Sequence, residues 1–247
     1  MVALPLFVAL YAFSTRWDSS LLPQGATLQW MAQLLDQPRI VASVARTLAL
    51  ASVASMLTVV LGTAATVAGR MYSPRLTAVL DLLAQLPFAV PPVVIAITAI
   101  QLLVGRLGGA LDIRVAYVAL LMPLLFPFVH RTVSGTLEQL DIDTLAQASR
   151  SLGATEALTL RRVVTPLLGP AIVASALLCL MAASLEFTIA NLLLGGDFEL
   201  LQPLINSLRA NNGHQAAALV ILSFSIIVLA AVLVRLLTRR SGPTRTL

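Results

Sequence analysis

The sequence predicts an all-α membrane protein with about six transmembrane helices. Hydrophobic residues make up 58% of the 247 residues and charged residues only 11%, whereas soluble domains carry about a quarter charged residues. The mean hydropathy is +0.93. Because one crossing takes about 20 apolar residues, a chain of this length accommodates five or six crossings joined by short loops. Since no internal repeat or linker-like segment interrupts it, we predict a single transmembrane domain over residues 1–247.

The predicted spans differ in how clearly the sequence marks them. The second, third and sixth contain no charged residue, the fourth needs Asp112 and Arg114 at the headgroups, and the fifth is interrupted by Glu186. The opening run is too short for a full crossing and lacks the basic start and cleavage site of a secretory signal. We interpret it as a partial first span whose N-terminal part is missing or dips only partway into the bilayer. The predicted spans are residues 1–13, 48–68, 82–104, 113–130, 171–194 and 216–234.

The arginines predict that both termini lie in the cytoplasm. All 16 basic residues are arginines, and they lie scattered at the ends of apolar runs, which is typical of membrane topology and not of nucleic-acid binding. With six spans, ten of them fall on one side: Arg70, Arg75, Arg131, Arg150, Arg161, Arg162, Arg235, Arg239, Arg240 and Arg245. Six fall on the other: Arg16, Arg39, Arg46, Arg106, Arg114 and Arg209. The richer side is the cytoplasmic one.

The longest cytoplasmic segment, residues 132–170, joins spans four and five and is unusually polar for this chain. Its pattern predicts two short helices with a corner between them. The first covers 143–152, and Gly153 follows it where a left-handed residue ends a helix. The second begins after Thr155 as N-cap and ends near Pro166. One face of the first helix is apolar and consists of Leu145, Ala148 and Leu152.

This segment resembles the EAA loop of the inner-membrane permease subunits of bacterial ABC importers. The family pattern is Glu-Ala-Ala, three residues, Gly, about nine residues, Ile, one residue and Leu-Pro. Here Gln147, Ala148 and Ser149 stand at Glu-Ala-Ala, Gly153 at the Gly, Val163 near the Ile, and Thr165-Pro166 at Leu-Pro. The spacing holds, while Gln147, Ser149 and Thr165 differ from the pattern. The resemblance implies a helix that docks onto a separate ATPase. The implied coupling residues are Gln147, Ala148, Ser149, Leu152, Gly153, Ala154, Thr155 and Pro166. The alternative is a helix lying in the headgroup layer.

Four further stretches resemble permeases for iron(III), thiamine, polyamines, molybdate and phosphonates. They are LPFAVPPVVIAI (86–97), SLEF (184–187), NLLLGG (191–196) and LQPLINSL (201–208). Residues 16–35 are similar to the first outer loop of permeases for 2-aminoethylphosphonate and polyamines, so 2-aminoethylphosphonate or another phosphonate is the first expected substrate. Polyamine, iron(III), thiamine and molybdate are the alternatives. The resemblance implies a type I importer architecture in a bacterial inner membrane.

The same resemblance implies four kinds of partner besides the lipid bilayer. They are two ATP-binding subunits, an extracytoplasmic substrate-binding protein, and a second permease that is either a different chain or a copy of this one. A face of small residues on span two is suited to helix pairing and supports such a partner. This face consists of Ala51, Ser55, Gly62 and Ala65.

Two features mark a candidate substrate pathway. Prolines interrupt the third span, so backbone groups lose their helical partners and must face protein or a water-filled path, or else the prolines make a kink for packing alone. Glu186 lies within an apolar run, where an acid either lines a pathway or makes a structural hydrogen bond. The candidate pathway residues are Glu186, Asn191, Pro91 and Pro92.

The sequence lacks the motifs of an ATPase, of an ion-coupled transporter and of an intramembrane enzyme. The chain contains no lysine and hence no P-loop, so ATP hydrolysis is assigned to a partner chain and the protein is not predicted to be an enzyme. A lone Glu186 is a poor basis for an ion-coupled secondary transporter, and no constellation of an intramembrane enzyme is present. Cys179, His130 and His214 lack the company of other metal ligands, so neither a metal nor a cofactor is predicted.

Overall fold

The computed structural model describes residues 3–17, 20, 22–102, 111–194 and 196–239. Within these residues the regular secondary structure is helical except for a short antiparallel ribbon of β1 (Ser14–Arg16) and β2 (Gln24–Ala26). The helices are α1 (Ala3–Phe13), α2 (Gln29–Leu35), α3 (Pro38–Tyr72), α4 (Pro74–Leu83), α5 (Leu86–Ala89), α6 (Pro92–Ile100), α7 (Ile113–Gln139), α8 (Ile142–Ser151), α9 (Glu156–Thr159), α10 (Thr165–Ser184), α11 (Thr188–Leu193), α12 (Leu201–Asn211) and α13 (Gly213–Arg239). A π-helical turn, Leu160–Val164, joins α9 to α10, and a 3-10 turn covers Gly196–Phe198. The end of predicted span three (103–104), Arg106, Arg240 and Arg245 lie outside the described residues.

The helical class is confirmed, whereas the number of spans is confirmed only in part. Among the described residues, three helices are long and apolar enough to cross a bilayer: α3, α7 and the continuous helix Glu156–Ser184. A fourth candidate is the pair Pro74–Ala89 and Pro92–Ile100, which is bent by 92°. At the two ends of the chain, α1 has 11 residues, and α13 has 27 residues and contains predicted span six, 216–234.

The second span is part of a much longer helix than its apolar run. Helix α3 has 35 residues, which corresponds to about 52 Å against a hydrocarbon core of about 30 Å. The sequence placed its start at residue 48 because Arg39 and Arg46 interrupt the apolar pattern. Both arginines are within the helix, and each has a partner. The Arg39 guanidinium lies 2.8 Å from a Glu199 carboxylate oxygen, and the Arg46 guanidinium lies 5.0 Å from the centre of the Phe198 ring.

The third predicted span, 82–104, is not one straight helix. Helix α4 ends at Leu83, α5 follows from Leu86, and Val90 adopts an extended conformation with φ −107° and ψ 119° before α6 begins at Pro92. A residue before proline is driven out of the helical region by the proline ring, and two successive prolines enforce this at Val90 and Pro91. The sequence therefore predicted an interruption correctly but not the sharp bend that results.

The fifth predicted span, 171–194, has different ends in the structure. Its helix stops at Ser184, and α11 starts only at Thr188. At the other end, Pro166 does not end a helix as predicted. The π turn ends at Val164, and Pro166 occupies the first turn of α10, where a missing N–H costs no hydrogen bond. The chain is therefore helical from Glu156 without a stop.

The chain divides into two compact units, residues 1–49 with 190–247 and residues 50–189. In the first unit, α1, α2 and α12 pack with α13 around Leu34, Leu204 and Leu219, which are fully buried. In the second unit, α7 packs along α10. Leucines and valines of α7 are buried there, and the Cys179 thiol lies 3.6 Å from the Leu125 carbonyl oxygen.

Part of the small-residue face of α3 is covered within the second unit. Ala51 and Ser55 are buried, and a Cβ added to Gly62 would approach Val129 of α7 to 3.2 Å. Gly62 therefore allows α3 and α7 to pack closely inside this chain. The expectation that this whole face serves a second permease is therefore wrong for Ala51, Ser55 and Gly62, which are covered within this chain.

Candidate coupling site

Helix α8 exposes the apolar face that the sequence predicted. It is preceded by Asp141 in a left-handed conformation with φ 44°. Ile142 and Ala146 are the side chains that α8 buries against its own chain. Leu145 and Ala148 point away from this contact and are exposed, and Leu152, just after the helix, is 88% exposed. Leu145, Ala148 and Leu152 therefore leave apolar surface exposed at the end of α8.

The corner at Gly153 is confirmed. Gly153 has a φ of +79°, and an added Cβ would meet no atom within 4 Å. Its N–H donates to the Arg150 carbonyl at 2.9 Å, and the Ala154 N–H donates to the Ser149 carbonyl at 3.1 Å. The predicted cap of the next helix is also confirmed, because the Thr155 hydroxyl accepts from the Leu158 N–H at 3.3 Å. Together these bonds satisfy backbone groups at both helix ends.

Side chains fasten α8 to the end of α3 and to α9. The Arg150 Nε donates to Glu156 at 2.7 Å, and the Tyr72 hydroxyl donates to the other carboxylate oxygen at 2.8 Å. A second ion pair joins Arg70 to Asp143 at 3.3 Å. The hydrogen bond to Glu156 raises the pKa of Arg150 further above its ordinary value, so its charge is permanent. Because these groups are exposed, the pairs set the orientation of α8 more than they stabilise the fold.

The structure separates one predicted coupling residue from the rest. Gln147 is exposed on α8, and the Ser149 hydroxyl lies 2.9 Å from the hydroxyl of the buried Thr159. These residues and the corner form one compact surface. Pro166, in contrast, lies ten residues after Glu156 along the continuous helix, or about 15 Å from its start. It belongs to the span and not to the corner.

Three of the four candidate pathway residues lie at breaks between helices. Pro91 and Pro92 are exposed at the bend before α6. Glu186 lies between α10 and α11, and its carboxylate accepts from the Ile189 N–H at 2.8 Å. Glu186 therefore makes the structural hydrogen bond that the sequence left open as one of two alternatives, at the start of α11. Asn191 is exposed on α11.

The sequence did not predict that His130 is buried and contacts two polar side chains. His130 is 3% exposed, its Nδ1 lies 2.9 Å from the Thr66 hydroxyl, and its Nε2 lies 2.8 Å from the Asp81 carboxylate. The ring also stacks on Phe126. The predicted topology already put Asp81 and His130 at the same membrane surface, and that was the signal that could have paired them. Among the described residues, no group of three or more His, Cys, Asp or Glu side chains could hold a metal ion.

Comparison with known proteins identifies the class. A family model described as "Binding-protein-dependent transport system inner membrane component" matches residues 58–242, so the chain belongs to this family of inner-membrane transport components of ABC importers. The sulfate transport system permease protein CysT of Salmonella typhimurium (strain LT2) is 36% identical over 183 residues, which are 68% of this chain and 65% of that protein. The match therefore spans just under two thirds of that relative.

Two further similarities concern a polyamine permease and a solved transporter. The spermidine/putrescine permease protein PotC of Haemophilus influenzae is 23% identical over 219 residues, 86% of this chain and 83% of that protein. The crystal structure of a bacterial ABC transporter that imports the acidic polysaccharide alginate superposes with a TM-score of 0.75 at 15% identity. It covers 97% of this chain and 90% of that one. At that identity the likeness concerns the fold alone.

Proposed function

We propose that this chain is the permease subunit of an ABC importer, forms half of the substrate passage, and couples to a separate ATPase through α8 and the corner at Gly153. The observation that carries the proposal is the 88% exposure of Leu152 at a corner held by backbone hydrogen bonds. A leucine left in water at a fixed position is suited to an apolar groove on a soluble partner. Gln147 and Ala148 share this exposed surface.

The assembly that we propose contains two ATP-binding subunits, a second permease and an extracytoplasmic binding protein. Permeases of ABC importers assemble with ATPase subunits and a binding protein, and the family match supports the same composition here. The proposed orientation has both termini in the cytoplasm, so that α8 faces the ATPase. The arginine distribution supports this orientation. The proposed pathway residues remain Glu186, Asn191, Pro91 and Pro92.

The proposed substrate is a small charged solute. The relatives' names favour the polyamine alternative over the phosphonate that the sequence suggested first, and they add sulfate. Identity to the sulfate permease, 36%, exceeds identity to the spermidine/putrescine permease, 23%. We therefore place sulfate or a similar tetrahedral oxyanion first and a polyamine second.

The test is ATP hydrolysis by the reconstituted complex in nanodiscs. We expect hydrolysis to rise when the binding protein is loaded with its substrate, and sulfate, spermidine and 2-aminoethylphosphonate are compared side by side. Leu152→Asp places a charge where we expect an apolar groove, so it removes the stimulation while the permease still inserts. Leu152→Met is the matched control, because it keeps the apolar surface and should keep the stimulation. Full stimulation in the Asp variant would contradict the proposed docking.

A further inference from the structure

A long apolar cleft lies within the second unit between α3 and the helix Glu156–Ser184. It has a volume of about 370 Å³. On α3 it runs from Val59 to Tyr72, and on the other helix from Leu160 to Ile172. Ala64 and Ala68 line it between these ends, and their small side chains leave the space open. Because Tyr72 bonds to Glu156, the Tyr72 and Leu160 ends lie together, beside α8.

The length of the cleft matches one leaflet of a bilayer. Thirteen residues of helix separate Val59 from Tyr72, and twelve separate Leu160 from Ile172, which correspond to about 20 and 18 Å. Half of a hydrocarbon core is about 15 Å thick. The cleft is therefore long enough for one acyl chain of a single leaflet.

Exposed arginines lie near the Tyr72 and Leu160 end of the cleft. Arg161 and Arg162 follow Leu160 directly and are exposed, and among the described residues neither forms an ion pair with a carboxylate. Arg70, two residues before Tyr72, is also at this end. Guanidinium groups bind phosphate oxygens through paired N–H donors, and basic pockets beside transmembrane helices on the cytoplasmic side bind anionic headgroups.

We propose that this cleft binds an anionic phospholipid, with one acyl chain between the two helices and the phosphate at Arg161 and Arg162. The helix that carries these arginines also carries the proposed coupling corner, so a bound lipid stiffens the joint between membrane and ATPase. The assignment to the cytoplasmic leaflet rests on the proposed orientation of the chain. The binding itself does not depend on ATPase coupling.

The experiment is native mass spectrometry of the complex, purified in nonionic detergent and incubated with equal amounts of phosphatidylglycerol and phosphatidylethanolamine. We expect the wild type to retain phosphatidylglycerol selectively. Each arginine near an anionic headgroup strengthens binding about fivefold, so the double variant Arg161→Gln and Arg162→Gln should lower phosphatidylglycerol affinity about thirtyfold and leave phosphatidylethanolamine affinity unchanged. Arg209→Gln, an exposed arginine on α12 in the first unit, is the matched control and should bind as the wild type does.

A second pair of variants tests the cleft itself. Ala64→Trp fills the space and should abolish retention of both lipids, whereas Met56→Trp, on a 70% exposed position of the same helix outside the cleft, should not. Unchanged phosphatidylglycerol binding by Ala64→Trp, or by the double arginine variant, overturns the proposal. So does photocrosslinking of Ala64→p-benzoylphenylalanine to the second permease, since a protein then occupies the cleft. Loss of ATPase stimulation with lipid binding intact would instead count against the proposed coupling alone.

Discussion

At the scale of single residues, only the backbone conformation of Gly153 restricts which side chain this position accepts. Its φ is +79° and the space around it is open, so a side chain is opposed by conformation and not by a clash. Gly153→Val should strain the corner by about 1 kcal/mol or more and misplace α8. We expect the purified complex to lose ATPase subunits, or to keep them without stimulation by loaded binding protein, while membrane insertion persists.

The control for this change is Gly153→Asn, because asparagine tolerates the left-handed conformation better than other residues. Gly169→Ala is a second control, since that glycine lies within a helix and an added Cβ meets nothing within 4 Å. Both should couple normally. Wild-type coupling in Gly153→Val would falsify the assignment of the corner, and loss of insertion would mean that α8 belongs to the packed bundle.

The second prediction tests whether Glu186 acts through its negative charge or through its hydrogen bond. The carboxylate accepts from the Ile189 N–H, and loss of such a cap costs about 1 kcal/mol, too little to prevent assembly. Glu186→Leu should therefore leave the complex assembled and reduce substrate transport into proteoliposomes, because we propose that the charge lines the pathway.

Glu186→Gln provides the comparison, since its carbonyl keeps an acceptor for Ile189 but carries no charge. We expect its transport to fall as in the Leu variant. Normal transport in the Gln variant beside impaired transport in the Leu variant would assign Glu186 to the cap alone. Failure of the Leu variant to assemble would indicate that the residue is needed for folding.

Local chemistry explains why some residues could be predicted and others not. The conformation of Gly153 and the Thr155 cap follow from the residue type and a few neighbours, and both predictions are confirmed. The contact of His130 with Thr66 and Asp81 joins residues 64 and 49 positions apart in sequence. Nothing local to His130 specifies these partners, so the sequence indicated only a histidine at a span end.

At the scale of elements, His130 links three helices of the second unit. It lies on α7, and its partners Thr66 and Asp81 lie on α3 and α4. His130→Leu keeps the volume roughly but leaves the buried Thr66 hydroxyl without this partner, at a cost of about 1–3 kcal/mol. We expect a lower unfolding temperature in detergent and a looser α4, detected by faster hydrogen exchange of its amides.

Asp81→Asn is the milder variant, because its amide oxygen can still accept from the histidine and the residue is exposed. Its unfolding temperature should stay close to that of the wild type. An unchanged unfolding temperature in His130→Leu would show that this contact adds nothing to stability.

The lengths of the elements were harder to predict than their existence. Apolar runs mark where a helix crosses hydrocarbon, but α3 continues past Arg39 because that arginine has a carboxylate partner far along the chain. The prediction that a helix ends near Pro166 was wrong for a different reason. The preceding π turn lets proline enter a new first turn without losing a bond, and residue propensities do not reveal a π turn.

At the scale of the whole molecule, we predict that the chain assembles with a second permease and two ATPase subunits. Large leucines and valines remain exposed on α3, among them Val53, Leu57, Val60 and Leu61. Native mass spectrometry of the complex should detect two permease and two ATPase chains.

Expression of the chain alone is the control, and we expect it to be recovered poorly. A folded, monodisperse monomer that recruits no other chain when the candidates are supplied would contradict the prediction. The masses of the two permeases also distinguish a pair of identical chains from a mixed pair.

The continuous helix from Glu156 to Ser184 makes the molecule sensitive to torsion. Its 29 residues rise about 44 Å, so a rotation applied near the corner travels along the axis into the bilayer. Each residue of a helix advances it by about 100°, and a π turn holds an extra residue without breaking the axis. The π turn Leu160–Val164 would absorb the loss of its extra residue, whereas removal of one residue from the α-helical stretch Thr165–Ser184 would turn α8 by roughly 100° about that axis. Leu152 would then face a different direction, although no apolar side chain would have left the membrane.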